Sequence, residues 1–149
     1  MENHRKKKVL FLCSHNSARS QMAEGLLRAM YSDRYESYSA GIKATSVDPR
    51  NNMVMNEIGV GISLQRSKSS EGFTDTILDL AVTVCDKERQ ACPISTTKIK
   101  IPSRSVKARK VIHKSFEDPA LAAGTNEEQI NVFRRVRDGI KAWIIDEFG

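Results

Sequence analysis

Lys8-Val9-Leu10-Phe11-Leu12-Cys13-Ser14-His15-Asn16-Ser17-Ala18-Arg19-Ser20-Gln21-Met22 decides how the chain is read, because its character changes twice within this stretch. Val9 to Leu12 is a short unbroken apolar run, the pattern of a strand buried on both faces of a parallel sheet. Cys13 to Arg19 is a polar loop. From Ser20 to Met30, Met22, Leu26 and Ala29, with Ala23, Leu27 and Met30, recur at helical spacing. The order is a central strand, a polar loop and a helix.

The pattern repeats along the chain. A second strand is expected over Glu36 to Ser39, stopping at Gly41, and Pro49 opens a helix through about Ile58 that Gly59 and Gly61 end. Leu80 to Val84 is another buried-strand run that delivers Cys85, Lys110 to His113 is a last short strand, and Asn126 to about Phe148 is a closing helix with Ile130, Phe133, Val136, Ile140, Trp143 and Ile144 on one face. Alternating strands and helices imply an α/β fold, a three-layer sandwich with a central, mostly parallel four-stranded sheet flanked by helices. With 149 residues and 40% hydrophobic content, one domain over 1–149 is expected. Ser95 to Lys114 differs in composition, with seven Lys or Arg and no acid, and reads as an exposed basic insertion or loop at about 95–114.

The longest apolar runs are far below the roughly 18 residues that cross a bilayer, and the basic start, Met1 to Lys8, meets only four apolar residues, so no membrane association and a cytoplasmic location are expected. Three cysteines suit catalysis or redox work better than a structural disulfide framework. A net charge of +6 favours anionic partners: nucleic acid, a membrane surface or a small oxyanion.

Cys13 and Arg19 stand six positions apart and bracket a loop between a strand and a helix N-terminus. Backbone N–H groups of Ser14, His15, Asn16, Ser17, Ala18, Arg19 and Ser20 can converge on a tetrahedral anion there, the helix end adds positive potential, and the Arg19 guanidinium can grip two oxygens. The same surroundings favour a thiolate, so Cys13 is a candidate nucleophile for in-line attack, with Ser17 and Ser20 as donors to its sulfur. The competing reading is a plain buried thiol.

These residues resemble the low-molecular-weight protein tyrosine phosphatase superfamily, and within it the thioredoxin-coupled arsenate reductases, because Gln21 stands where the phosphatase branch usually has proline. Similarity continues through Tyr38 to Gly41, Val82 to Cys85, Cys92-Pro93, Phe116 to Pro119 and Phe133 to Asp138. The resemblance implies that Cys13 attacks arsenate, that Cys85 then attacks Cys13 and releases arsenite, and that Cys92 attacks Cys85 to leave a disulfide reduced by thioredoxin or a similar dithiol protein. Converting As(V) to As(III) takes two electrons, the number two thiols release on pairing. The matching residue to Asp118 in relatives is the general acid, and the Asp-Pro step biases it toward an extended conformation. Asn16 and Glu24 match positions that shape the loop in relatives, some of which bind a potassium ion nearby, although the helix dipole explains Glu24 equally well. No cofactor and no metal are expected for this chain, and a monomer is expected.

Other readings stay open. Cys85 and Cys92 could be unrelated thiols or zinc ligands, although their six intervening residues do not match usual zinc spacing. A tyrosine phosphatase would share Cys13, Arg19 and Asp118. A non-catalytic oxyanion sensor or nucleic-acid binder would need none of the cysteines, but no aromatic side chain is interleaved with the basic run to stack on single strands.

Overall fold

A computed structural model of the chain describes residues 5–13, 18–41, 45–73, 77–84, 98–100 and 105–149. The strands are β1 (Lys7–Cys13), β2 (Tyr35–Gly41), β3 (Ile77–Thr83), β4 (Lys98–Lys100) and β5 (Ser105–His113), and the α-helices are α1 (Arg19–Tyr31), α2 (Pro49–Asn56) and α3 (Asn126–Phe148).

The sheet order is β2-β1-β3-β5-β4. Its first four strands are mutually parallel, as expected, and β4 adds a short antiparallel edge in the register Ile99↔Val106. The expected strand at Lys110 to His113 is present but begins earlier, so the basic stretch is corrected over 105–109: β5, Ser105–His113, is a strand next to β3 there, not a loop. The reason lies in its pairing. Ala108 faces the core opposite Leu78 while Lys107, Arg109 and Lys110 reach solvent, so only a few apolar positions mark a strand whose backbone bonds are fixed by β3.

β1 is the hub, hydrogen-bonded on both sides. Val9, Phe11 and Cys13 point into the larger core with Met22, Leu26, Leu27, Val54, Phe133, Ile140 and Ile144 from all three α-helices. Leu10 and Leu12 point into the smaller cluster with Ala40, Leu78, Ala81 and Ala108, against which Phe73 of a 3-10 turn packs. Alternation on one strand thus explains why an unbroken apolar run is needed: each face has its own core.

The helix ends follow local rules. Asp48 accepts from the Arg50 backbone N–H at 3.0 Å and Pro49 occupies the first turn of α2, while Gly59, at φ 75°, reverses the chain after it. Thr125 and Glu128 form a reciprocal capping box at α3. α3 then lays Trp143 and Phe148 on Phe11, with ring centroids 6.3 and 6.1 Å away in edge-to-face geometry. No helix among the described residues is long and apolar enough to cross a membrane.

Candidate active site

The site lies at the C-terminal ends of the parallel strands, where open α/β sheets leave their crevice. β1 ends at Cys13, which is 4% exposed, and α1 starts at Arg19 with Ala18 at its N-cap. Alanine has no side-chain acceptor, so the cap position leaves the first-turn N–H groups of α1 to backbone, loop or ligand oxygens.

Cys13 Sγ lies 3.0 Å from the Ser20 hydroxyl, and both groups are buried. Ser20 sits on the inner face of the first turn of α1, so helix geometry delivers its hydroxyl to the strand end. The guanidinium of Arg19 is 3% exposed and is held from two directions: Nη1 donates to the Phe116 carbonyl at 3.2 Å and Nη2 lies 3.4 Å from Asp118 Oδ2. Phe116 is itself packed edge-to-face on Trp143 of α3, with centroids 6.0 Å apart. A closing helix at the far end of the sequence therefore fixes the loop that orients the arginine.

Asp118 is extended, at φ −81° and ψ 108°, as the following proline favours. Its Oδ1 accepts from the Ala120 N–H at 3.0 Å, which leaves Oδ2 as the oxygen turned to Arg19. Arg50 of α2 is close enough to feel the Asp118 charge. The hydrogen-bonded Asp48 carboxylate, set against partial burial, holds the Arg50 guanidinium above its ordinary value, and Asp118 adds to that effect.

The structure thus brings Cys13, Ala18, Arg19, Ser20 and Asp118 to one place. Ser14, His15, Asn16, Ser17, Cys85 and Cys92 lie outside the described residues. Val84, the residue before Cys85 in the chain, donates its N–H to the Leu12 carbonyl at 2.8 Å, and Leu12 precedes Cys13. Thr83 is fixed in turn by the Lys114 N–H on its carbonyl and by His113 Nδ1, 2.6 Å from its hydroxyl.

Several further contacts support the site, and of these the sequence singles out only Glu24 as a loop-shaping position. The Phe116 carbonyl on Arg19 carries no side-chain signal. Asn51, fully buried on α2, donates from Nδ2 to the Ala18 carbonyl at 3.2 Å; an amide at one of the inward positions Asn51, Val54 and Met55 was the available clue. Glu24, one turn into α1, is buried and takes hydrogen bonds from Ser39 and Arg28, with Lys68 Nζ at 3.4 Å. Gln21 and Gln65 bond to each other, and Gln21 Nε2 donates to the Arg66 carbonyl, which ties the 65–68 segment to the same helix. Among the described residues no group of three or more His, Cys, Asp or Glu is arranged to hold a metal ion.

Comparison with known proteins gives this geometry a context. Residues 8–146 match the family model for low molecular weight phosphotyrosine protein phosphatase. An arsenate reductase of Halalkalibacterium halodurans is 43% identical over 135 residues, covering 91% of this chain and 90% of that protein. An arsenate reductase of Bacillus subtilis is 39% identical over 140 residues, covering 94% and 91%. Among solved structures, an arsenate reductase in its phosphate-binding state superposes with a TM-score of 0.72 at 28% identity, covering 94% of this chain and 95% of that one. A low molecular weight protein tyrosine phosphatase from T. tengcongensis has the same fold, with a TM-score of 0.73 at 23% identity over 96% and 98%.

Proposed function

Because the chain belongs to the low molecular weight phosphotyrosine protein phosphatase family, we propose that the buried Cys13 and Arg19, with the partly buried Asp118, carry out arsenate reduction, with Cys85 and Cys92 as the electron source. The observation that carries the reading is the hydrogen bond from Val84 to Leu12, which ties the residue before Cys85 to the residue before Cys13. The arsenate reductases at 43% and 39% identity support the choice of substrate.

Arsenate binds between Cys13 and Arg19, its charge met by the guanidinium and by backbone N–H groups at the start of α1. The Cys13 thiolate attacks arsenic, an S–As bond forms, and one oxygen departs as water on receiving a proton from Asp118. A Cys13 thiolate can only accept, so the Ser20 hydroxyl 3.0 Å away is the donor to the sulfur before attack. Arg19 is already oriented by the Phe116 carbonyl and by the Asp118 side chain, so little side-chain freedom is lost when the anion binds.

The Cys85 thiolate then attacks Cys13 Sγ. An S–S bond forms, the S–As bond breaks, and its electron pair stays on arsenic, which leaves as arsenite. Cys92 attacks Cys85, releasing the Cys13 thiolate and forming a Cys85–Cys92 disulfide. Thioredoxin or a similar dithiol protein supplies the two electrons that reopen it.

A phosphatase reading uses the same pocket without Cys85 and Cys92, since phosphate and arsenate share shape and charge. The separating assay is multiple-turnover arsenite production with a thioredoxin system. The parent turns over repeatedly, whereas Cys92→Ser stops after about one equivalent; equal turnover by both proteins removes the relay.

A further inference from the structure

We propose that Asn51 is a positioning residue for the anion loop, acting through the peptide that joins the loop to α1; the proposal rests on the anion-binding reading of Cys13 to Arg19. Asn51 is fully buried, and its Nδ2 donates to the Ala18 carbonyl at 3.2 Å. The acceptor fixes the amide's orientation, because a carbonyl oxygen only accepts and the nitrogen must face it. Oδ1 is then turned away and, among the described residues, has no hydrogen-bond donor.

The consequence follows from peptide geometry. A trans peptide is planar, with C=O and N–H pointing in opposite directions. The Ala18 carbonyl is held by two donors, Asn51 Nδ2 and the Met22 N–H at 2.8 Å, so it is directed toward α2 and down the axis of α1. The N–H of Arg19, on the other side of the same peptide, is thereby directed the opposite way, out of the N-terminal end of α1. Asn51 itself is anchored at the capped end of α2, its N–H bonded to the Asp48 carbonyl at 2.9 Å. A residue some thirty positions away thus sets the aim of an anion-facing N–H without touching the anion.

The orphan oxygen argues against a purely stabilising role. A buried acceptor without a donor costs folding free energy, and that cost offsets the modest net gain of the single bond to Ala18. Leucine has nearly the same shape and no polar atoms. Asn51→Leu therefore separates the two explanations: it removes both the orphan and the positioning bond.

The test measures dissociation of inorganic phosphate, the redox-inert probe of the loop, by titration calorimetry on the full chain, beside the thermal midpoint. The expected result for Asn51→Leu is phosphate affinity weakened about tenfold, the scale of one lost hydrogen bond, with a thermal midpoint equal to or above the parent's. Asn51→Ala shows the same weakened affinity. A parent that binds phosphate and variants that bind it equally well overturn the role of Asn51 and leave the anion loop intact; a parent that binds no phosphate overturns both. Affinity lost only in step with a fall in the thermal midpoint also overturns the proposal.

Discussion

Replacing Gly25 by alanine tests how closely α1 must approach the segment that follows α2. A Cβ built on Gly25 lies 2.7 Å from Ile62 Cγ2, 3.3 Å from Gln65 Oε1 and 3.4 Å from Val60 Cγ1. The first distance is well inside van der Waals contact, and Ile62 is 1% exposed, so its methyl has no solvent to move into. Overpacking of this kind costs about 1–3 kcal/mol. Alanine returns about 1 kcal/mol through better helix propensity. The net expectation is a loss of about 1 kcal/mol, a fall in the thermal midpoint of roughly 2–4 °C for a chain of this size. Ile62→Ala removes the obstructing atoms, so Gly25→Ala in that background is neutral or stabilising. Thermal unfolding of the four proteins of this cycle is the assay. A Gly25→Ala variant more stable than the parent, or an effect independent of Ile62, refutes the steric reasoning.

Three further outcomes are expected. Asp118→Asn keeps the side chain's size but removes the proton it donates, so single-turnover formation of arsenite slows by about 10²-fold or more; an unchanged rate excludes Asp118 as the acid. Ser20→Ala deletes the hydroxyl 3.0 Å from Cys13 Sγ, and alkylation of Cys13 at neutral pH, followed by peptide mass spectrometry, slows about tenfold. Glu57 is held down to about 2 from 4.5 by hydrogen bonds from Arg134, against some desolvation, and then by Arg137. Its folded value lies below its unfolded one, so its contribution is fully present above about pH 4.5 and fades as pH falls toward 2. Glu57→Gln removes that dependence, and urea midpoints of parent and variant should diverge at neutral pH and converge near pH 2; parallel curves would count against the assignment.

The parts of the fold that follow local rules were legible in the sequence. β1, the loop after it and α1 announce themselves through a run of apolar residues, a polar interval and a 3.6-residue period, and α3 spans Asn126–Phe148 because its capping box and apolar face agree. β5 was only partly legible. Its charged positions conceal a strand that is fixed by pairing with β3, and such pairing leaves little mark on local sequence. Cys13, Arg19 and Ser20 could be read from one short segment. The hold on Arg19 could not: it comes from a backbone carbonyl and a carboxylate almost a hundred residues away, positioned by Trp143. Asn51 was hidden for a similar reason, since its meaning lies in the carbonyl it meets.

The central claim is that oxidation passes from Cys13 to Cys85 and then to Cys92. Peptide mapping of the protein after one exposure to arsenate, without external reductant, tests it most directly. The account predicts a Cys85–Cys92 linkage in the parent and a trapped Cys13–Cys85 linkage in Cys92→Ser. Arsenite released with all three thiols still free, or a linkage that leaves out Cys85, would contradict it.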